Sequence, residues 1–170
     1  MRPRAPDAGG RQCLVPVPST DDVLWFVDQA LDGMVGIVRE LGDDLASSRP
    51  DLPGANSPYA ILTHCLGVME FWGGYMLADR PIERDRDAEF RAEGRVDDLA
   101  ERAAAARRRL VADISAGDPS APPRHDPVYP EDADTPIGRT QAGVLLHVLR
   151  ELTQHLGQME VSRDAILSAR

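Results

Sequence analysis

From about Thr140 to Ser168 the chain reads TQAGVLLHVLRELTQHLGQMEVSRDAIL, the longest uninterrupted helical period in the sequence, with no Pro inside it. With Glu151 at the origin of a helical wheel, Val144, Leu145, Val148, Leu152, Leu156, Met159 and Ile166 fill an arc of roughly 20° to 140°, and Val161 falls outside it. A helix this long with one apolar side cannot stand alone in water. It must bury that side against other helices, and the rest of the chain supplies three. Ser19-Thr20-Asp21-Asp22 offers a cap and early carboxylates ahead of Val23, Phe26, Val27, Ala30, Leu31, Met34, Ile37, Val38, Leu41 and Leu45, which predicts a first helix to about Ser47. Ser57-Pro58 places an N-cap before a Pro at the first helical position, opening a second helix to about Ala78. A third, Ala-rich helix is expected from roughly Val96 to Ile114. Strand-like alternation is absent, so the fold class is all-α: a four-helix bundle with long inter-helix connections.

Those connections are informative by composition. RPDLPGAN is a short turn-rich linker. DRPIERDRDAEFRAEGR mixes charges of both signs and reads as a surface network anchored by Phe90. GDPSAPPRHDPVYPEDADTPIG, rich in Pro, reads as a non-helical surface loop that reaches over the mouth of a site. Residues 1–18 carry Pro, Gly and Arg without period and are expected to be an irregular arm, leaving 19–170 as one domain.

Charge and cysteine content exclude several function classes. Acidic residues outnumber basic ones 28 to 19, for a net charge of −9, which speaks against a nucleic-acid or anionic-membrane partner. Every basic residue is Arg, the usage of a high-GC bacterial genome. Cys13 and Cys65 make no disulfide framework, and no leader or long apolar run is present, so a cytoplasmic, reducing setting is expected.

The chemistry lies on the last helix. His147, Glu151 and His155 follow one another at i, i+4 spacing and share a face, with His155 inside the apolar arc and Glu151 at its border. A carboxylate bordering a core costs several kcal/mol unless paired, hydrogen-bonded or bound to a cation. On the second helix His64 stands among Ala60, Ile61, Val68, Phe71 and Tyr75, also facing the core. His64, Glu151 and His155 together form a three-ligand divalent site with room for a further ligand. The alternative from spacing alone is a core His64 bonded to a carbonyl, with Glu151 and His155 paired along their own helix. His147 and Gln158 are expected to line the pocket or support the ligands, His147 by a hydrogen bond to Glu151 and Gln158 by contacting a bound ligand or water. Glu70, on another side of its helix, is expected to be solvated or ion-paired, as are Arg107, Arg108 and Arg109. Cys65 reads as a small buried residue, His125 as a solvated loop residue, and Trp25, Phe71, Trp72 and Tyr75 as core or pocket wall.

ANSPYAILTHCLGVMEFWGG, RDRDAEFRAEG and LLHVLRELTQHLGQMEVSRD together resemble the DinB-like superfamily of metalloenzymes, nearest its actinobacterial branch of mycothiol transferases and the N-terminal domains of mycothiol-dependent maleylpyruvate isomerases. The resemblance spans about Asp21 to Leu167. It implies a divalent metal, zinc first and nickel, manganese or iron after it, held by His64, Glu151 and His155. Many members have a third His where Glu151 stands, and the carboxylate admits the harder metals. The larger isomerases carry a further domain after the bundle, so the expectation for this sequence is a stand-alone transferase. The implied function is transfer of a low-molecular-weight, mycothiol-like thiol to an electrophile, the metal keeping the thiol as thiolate. A hydrolase on the same ligands is the chemical alternative, and a non-catalytic bundle for protein interaction is the other. A homodimer through an apolar helix face is left open.

Overall fold

The computed structural model describes residues 18–169, so Cys13 and the arm before Pro18 lie outside the described residues. Four long helices form the bundle: α1 (Thr20–Ala46), α2 (Pro58–Val68, continued as a π-helical segment Met69–Leu77), α4 (Val96–Ser115) and α6 (Gln141–Ser168). Single-turn helices α3 (Arg86–Glu89) and α5 (Pro136–Arg139) interrupt the two long connections. No strand occurs among the described residues.

The starts are fixed by side chains. Ser19 and Asp22 close a capping box on α1, Ser57 Oγ accepts from Ala60 N at 3.2 Å, and Thr140 Oγ1 accepts from Gly143 N at 3.0 Å. Val27, Met34 and Val38 of α1, Ile61, Leu62 and Met69 of the second helix, Leu99 and Leu110 of α4, and Val148, Leu152 and Met159 of α6 make the core.

Pair contacts give the helix directions. Val23 of α1 shares a groove with Leu145 and Leu146 of α6, and Glu40 pairs with Arg163 farther along, so α1 and α6 run parallel. Asp28 binds Arg107 and Asp43 accepts from Val96 N, so α4 opposes α1. His64 meets His155 while Trp72 meets His147, so α2 opposes α6. Glu70 binds Arg109 and Arg80 binds Asp113, leaving α2 and α4 parallel. The order is up, down, down, up. A parallel pair in succession obliges the connection 79–95 to travel back along the bundle, and that return carries it past His64.

Three sequence expectations are corrected. Trp25 and Phe26 are 56% and 53% exposed, packed edge to face on each other 4.9 Å apart, because the buried stripe of α1 runs through Leu24, Val27 and Leu31 and leaves them beside it. The Pro-rich connection is not wholly non-helical: Pro130 and Pro136 each start a short turn, as Pro can at a first helical position. The mixed-charge connection is not only a surface network, since Glu89 is buried.

Candidate metal centre

His64, Glu151 and His155 converge. One ligand atom from each lies within 4.8 Å of the others, so the three could reach one cation. The two imidazoles meet edge to face at 5.0 Å, and His155 Nε2 stands 3.7 Å from Glu151 Oε2. α2 supplies His64 from a turn where every residue from Pro58 to Leu66 is buried, and α6 supplies the other two from the rim of its apolar arc.

The outer atoms of the three ligands are committed elsewhere. His64 Nδ1 lies 2.9 Å from Glu89 Oε2, and a carboxylate only accepts, so Nδ1 donates. Arg84 grips the same carboxylate through Nε at 2.8 Å and its terminal nitrogen at 3.0 Å. His155 Nδ1 donates to Gln158 Oε1 at 2.9 Å. Arg150 donates to Glu151 Oε1 at 3.0 Å and also to His147 Nδ1 at 3.0 Å. Two Nε2 lone pairs and one carboxylate oxygen therefore remain for a common partner, a nitrogen and oxygen donor set suited to a divalent transition metal.

Electrostatics agree with that division. Burial raises the Glu89 carboxyl, but the bonds from His64 and Arg84 outweigh it and hold Glu89 below the usual carboxylate range. Glu151 behaves likewise: desolvation works against its charge, and Arg150, His147 and His155 overcome it. Burial pushes His147 down, in keeping with a neutral ring whose Nδ1 accepts from Arg150 and whose proton sits on Nε2.

A cavity of about 300 Å³ opens on this cluster. Trp72 and His147 form one wall with rings 4.4 Å apart, and Tyr129, Asp132 and Ile137 of the Pro-rich connection close another. That connection reaches the mouth as expected, although His125 does not. His125 stacks on Tyr75 at 3.8 Å and pairs with Asp79 at 2.8 Å, away from the cavity.

The remaining predicted residues sort cleanly. His147 lines the cavity but bonds Arg150 rather than Glu151, and Gln158 serves His155. Glu70 binds Arg80 and Arg109, Arg107 binds Asp28, and Arg108 is exposed. Cys65 is fully buried, and burial first, then the nearby Glu151 charge, push its thiol well above the ordinary range. Phe71 and Tyr75 pack against the core and Trp72 is buried at the cavity wall, whereas Trp25 is not.

Sequence reasoning missed Glu89 and Arg84. The local signal was thin: one Glu next to Phe90, in a segment of alternating signs. Only Gly67 hinted at it, since a methyl group there would overlap Glu89 Oε1.

A sequence profile of the DinB superfamily matches residues 27–159. Among solved structures, a crystal structure of a conserved protein from Enterococcus faecalis superposes with a TM-score of 0.66 at 14% identity, covering 90% of this chain and 99% of that one. At that identity the likeness speaks for the fold alone. No curated protein matches the chain.

Proposed function

Since the chain belongs to the DinB superfamily, we propose that it is a metal-dependent transferase that activates a low-molecular-weight thiol for attack on an electrophile, with a mycothiol-like thiol as donor or cofactor. The observation that carries this is the division of labour among the ligand atoms. Each imidazole spends Nδ1 on an acceptor and keeps Nε2, and Glu151 keeps one oxygen, all within 4.8 Å. Zinc is the proposed metal, with nickel, manganese or iron accommodated by the carboxylate. Bound there, the cation supplies Lewis acidity that favours the deprotonated form of a thiol or a water.

The chain's own residues support a thiol brought from outside. No Ser, Thr or Cys lines the cavity among the described residues, and Cys65 is buried with its thiol held protonated. The attacking atom therefore comes from a bound thiol or water rather than from a side chain of the cavity. His147, neutral with its proton on Nε2, offers a donor in the cavity wall, and Trp72 and Tyr129 line the same cavity. Arg150 bridges His147 and Glu151, donating to both. A reducing cytoplasm is the setting in which a small thiol is plentiful, and small molecules rather than nucleic acid or membrane are the proposed partners.

Elemental mass spectrometry on protein purified without chelator or nickel resin should find about one divalent metal per chain, lost in His155→Ala. Metal-loaded protein should then conjugate a small thiol to a generic aromatic electrophile. No metal in either protein after reconstitution would return the molecule to a structural bundle, and ester hydrolysis without thiol conjugation would make it a hydrolase.

A further inference from the structure

A buried carboxylate on the returning connection, Glu89, meets the outer nitrogen of His64. Resting on the metal-dependent function proposed for this site, we propose that Glu89, clamped by Arg84, is a positioning residue that fixes the Nδ1–H tautomer of His64 and thereby presents its Nε2 lone pair to the cation. A neutral imidazole has one proton to place. If it sat on Nε2, that nitrogen could not ligate, so some acceptor must hold it on Nδ1.

Glu89 has the features for the task. Its side chain is only 10% exposed, and its Oε2 lies 2.9 Å from Nδ1. A surface ion pair with Arg84 would need no such burial, since exposed pairs contribute little. Arg84 occupies both carboxylate oxygens, which keeps the buried group ionised and so an acceptor only. Phe90 stacks on the His64 ring at 4.5 Å with planes 25° apart, so the ring's plane is set by one neighbour and its protonation by another. Gly67, one turn after His64 on the same helix, leaves the space that Glu89 Oε1 fills. Gln158 plays the corresponding part for His155 with a neutral amide, so the two imidazoles are oriented by unlike partners, one charged and one not.

Nitrogen-15 spectra of the metal-free full chain read the tautomer directly. His64 should carry its proton on Nδ1 in the wild type and move it largely to Nε2 in Glu89→Ala. Zinc affinity, measured by competition with a chelating dye, should fall roughly 10–100-fold in Glu89→Ala. Glu89→Gln keeps an acceptor without the charge, so it should hold the wild-type tautomer and lose less affinity. Should Glu89→Ala fail to fold, Glu89→Gln decides: wild-type zinc affinity in that variant overturns the role of the charge. A wild type that binds zinc with His64 protonated on Nε2, or a folded Glu89→Ala with tautomer and affinity unchanged, overturns the inference while sparing the metal site. A wild type that binds no zinc overturns the metal reading instead, and the tautomer alone then decides what Glu89 does.

Discussion

Two glycines in helices separate what helix propensity favours from what the site requires. Gly36 faces open space, with nothing within 4 Å of a methyl group placed there, so Gly36→Ala should stabilise the protein by up to about 1 kcal/mol in urea denaturation. Gly67→Ala gains the same propensity but displaces Glu89, so its net effect should be destabilising by about 1 kcal/mol or more, with weaker metal binding. Glu89 also sets an acid limit. Its folded carboxyl titrates below the unfolded one, so the fold binds fewer protons there, and the stabilisation is complete above the unfolded pKa of about 4.3 and lost as pH falls through the folded value. Urea midpoints of the metal-free protein should decline between about pH 5 and pH 3, less steeply in Glu89→Gln. At this scale the sequence was readable where residues share one helix. His147, Glu151, His155 and Gln158 could be related by angle and rise alone, whereas Glu89 reaches His64 from a connection that no period describes.

Among elements, the second helix departs most from its expected geometry. Beyond Val68 its turns widen into π-helix through Leu77, so angles projected from His64 at 3.6 residues per turn lose register before Trp72 and Tyr75. The widened end is secured from outside. Arg80 N donates to Gly74 O, and the Arg80 guanidinium binds Asp113 of α4 by two bonds of 2.9 Å and Glu70 by a third. Asp113 is 6% exposed, so Asp113→Ala removes the main partner of Arg80 and should cost about 1–3 kcal/mol in urea denaturation. The returning connection explains the other gap between sequence and structure. Its composition pointed to solvent, and its path was decided by topology: two successive helices pointing the same way leave it no route except along the bundle beside α2. Ala88 N caps on Asp85 at 2.9 Å, which forms the single turn that aims Glu89 inward.

For the molecule as a whole, the bundle and the convergence of His64, Glu151 and His155 were legible because apolar periodicity fixes which faces meet, and side chains on core-facing stripes must then approach one another. What lay beyond that reach was the parallel order of helices and the inward turn of Glu89 from its connection. The exposure of Trp25 and Phe26 shows the same limit at the edge of a stripe, where an angle cannot say whether a neighbour covers the residue. Among the described residues no helix is long and apolar enough to cross a membrane. The ligands come from two helices far apart in sequence, so a cation that binds them binds the folded state and stabilises it by mass action. Thermal melts should move upward by several degrees with zinc at about 100 times its Kd, and neither zinc nor a chelator should move the melt of His155→Ala.

The path of the chain past His64 also orders the arrival of the residues proposed to hold the metal. During synthesis the first imidazole emerges with the second helix, its carboxylate partner follows on the connection, and the other two ligands come only with the last helix. Until the last helix has emerged, the three donors proposed for one cation cannot come together. A metal held as proposed would then be loaded as a finishing step, on a fold that has already brought α2 and α6 together, and would be drawn from the pool around the mature protein.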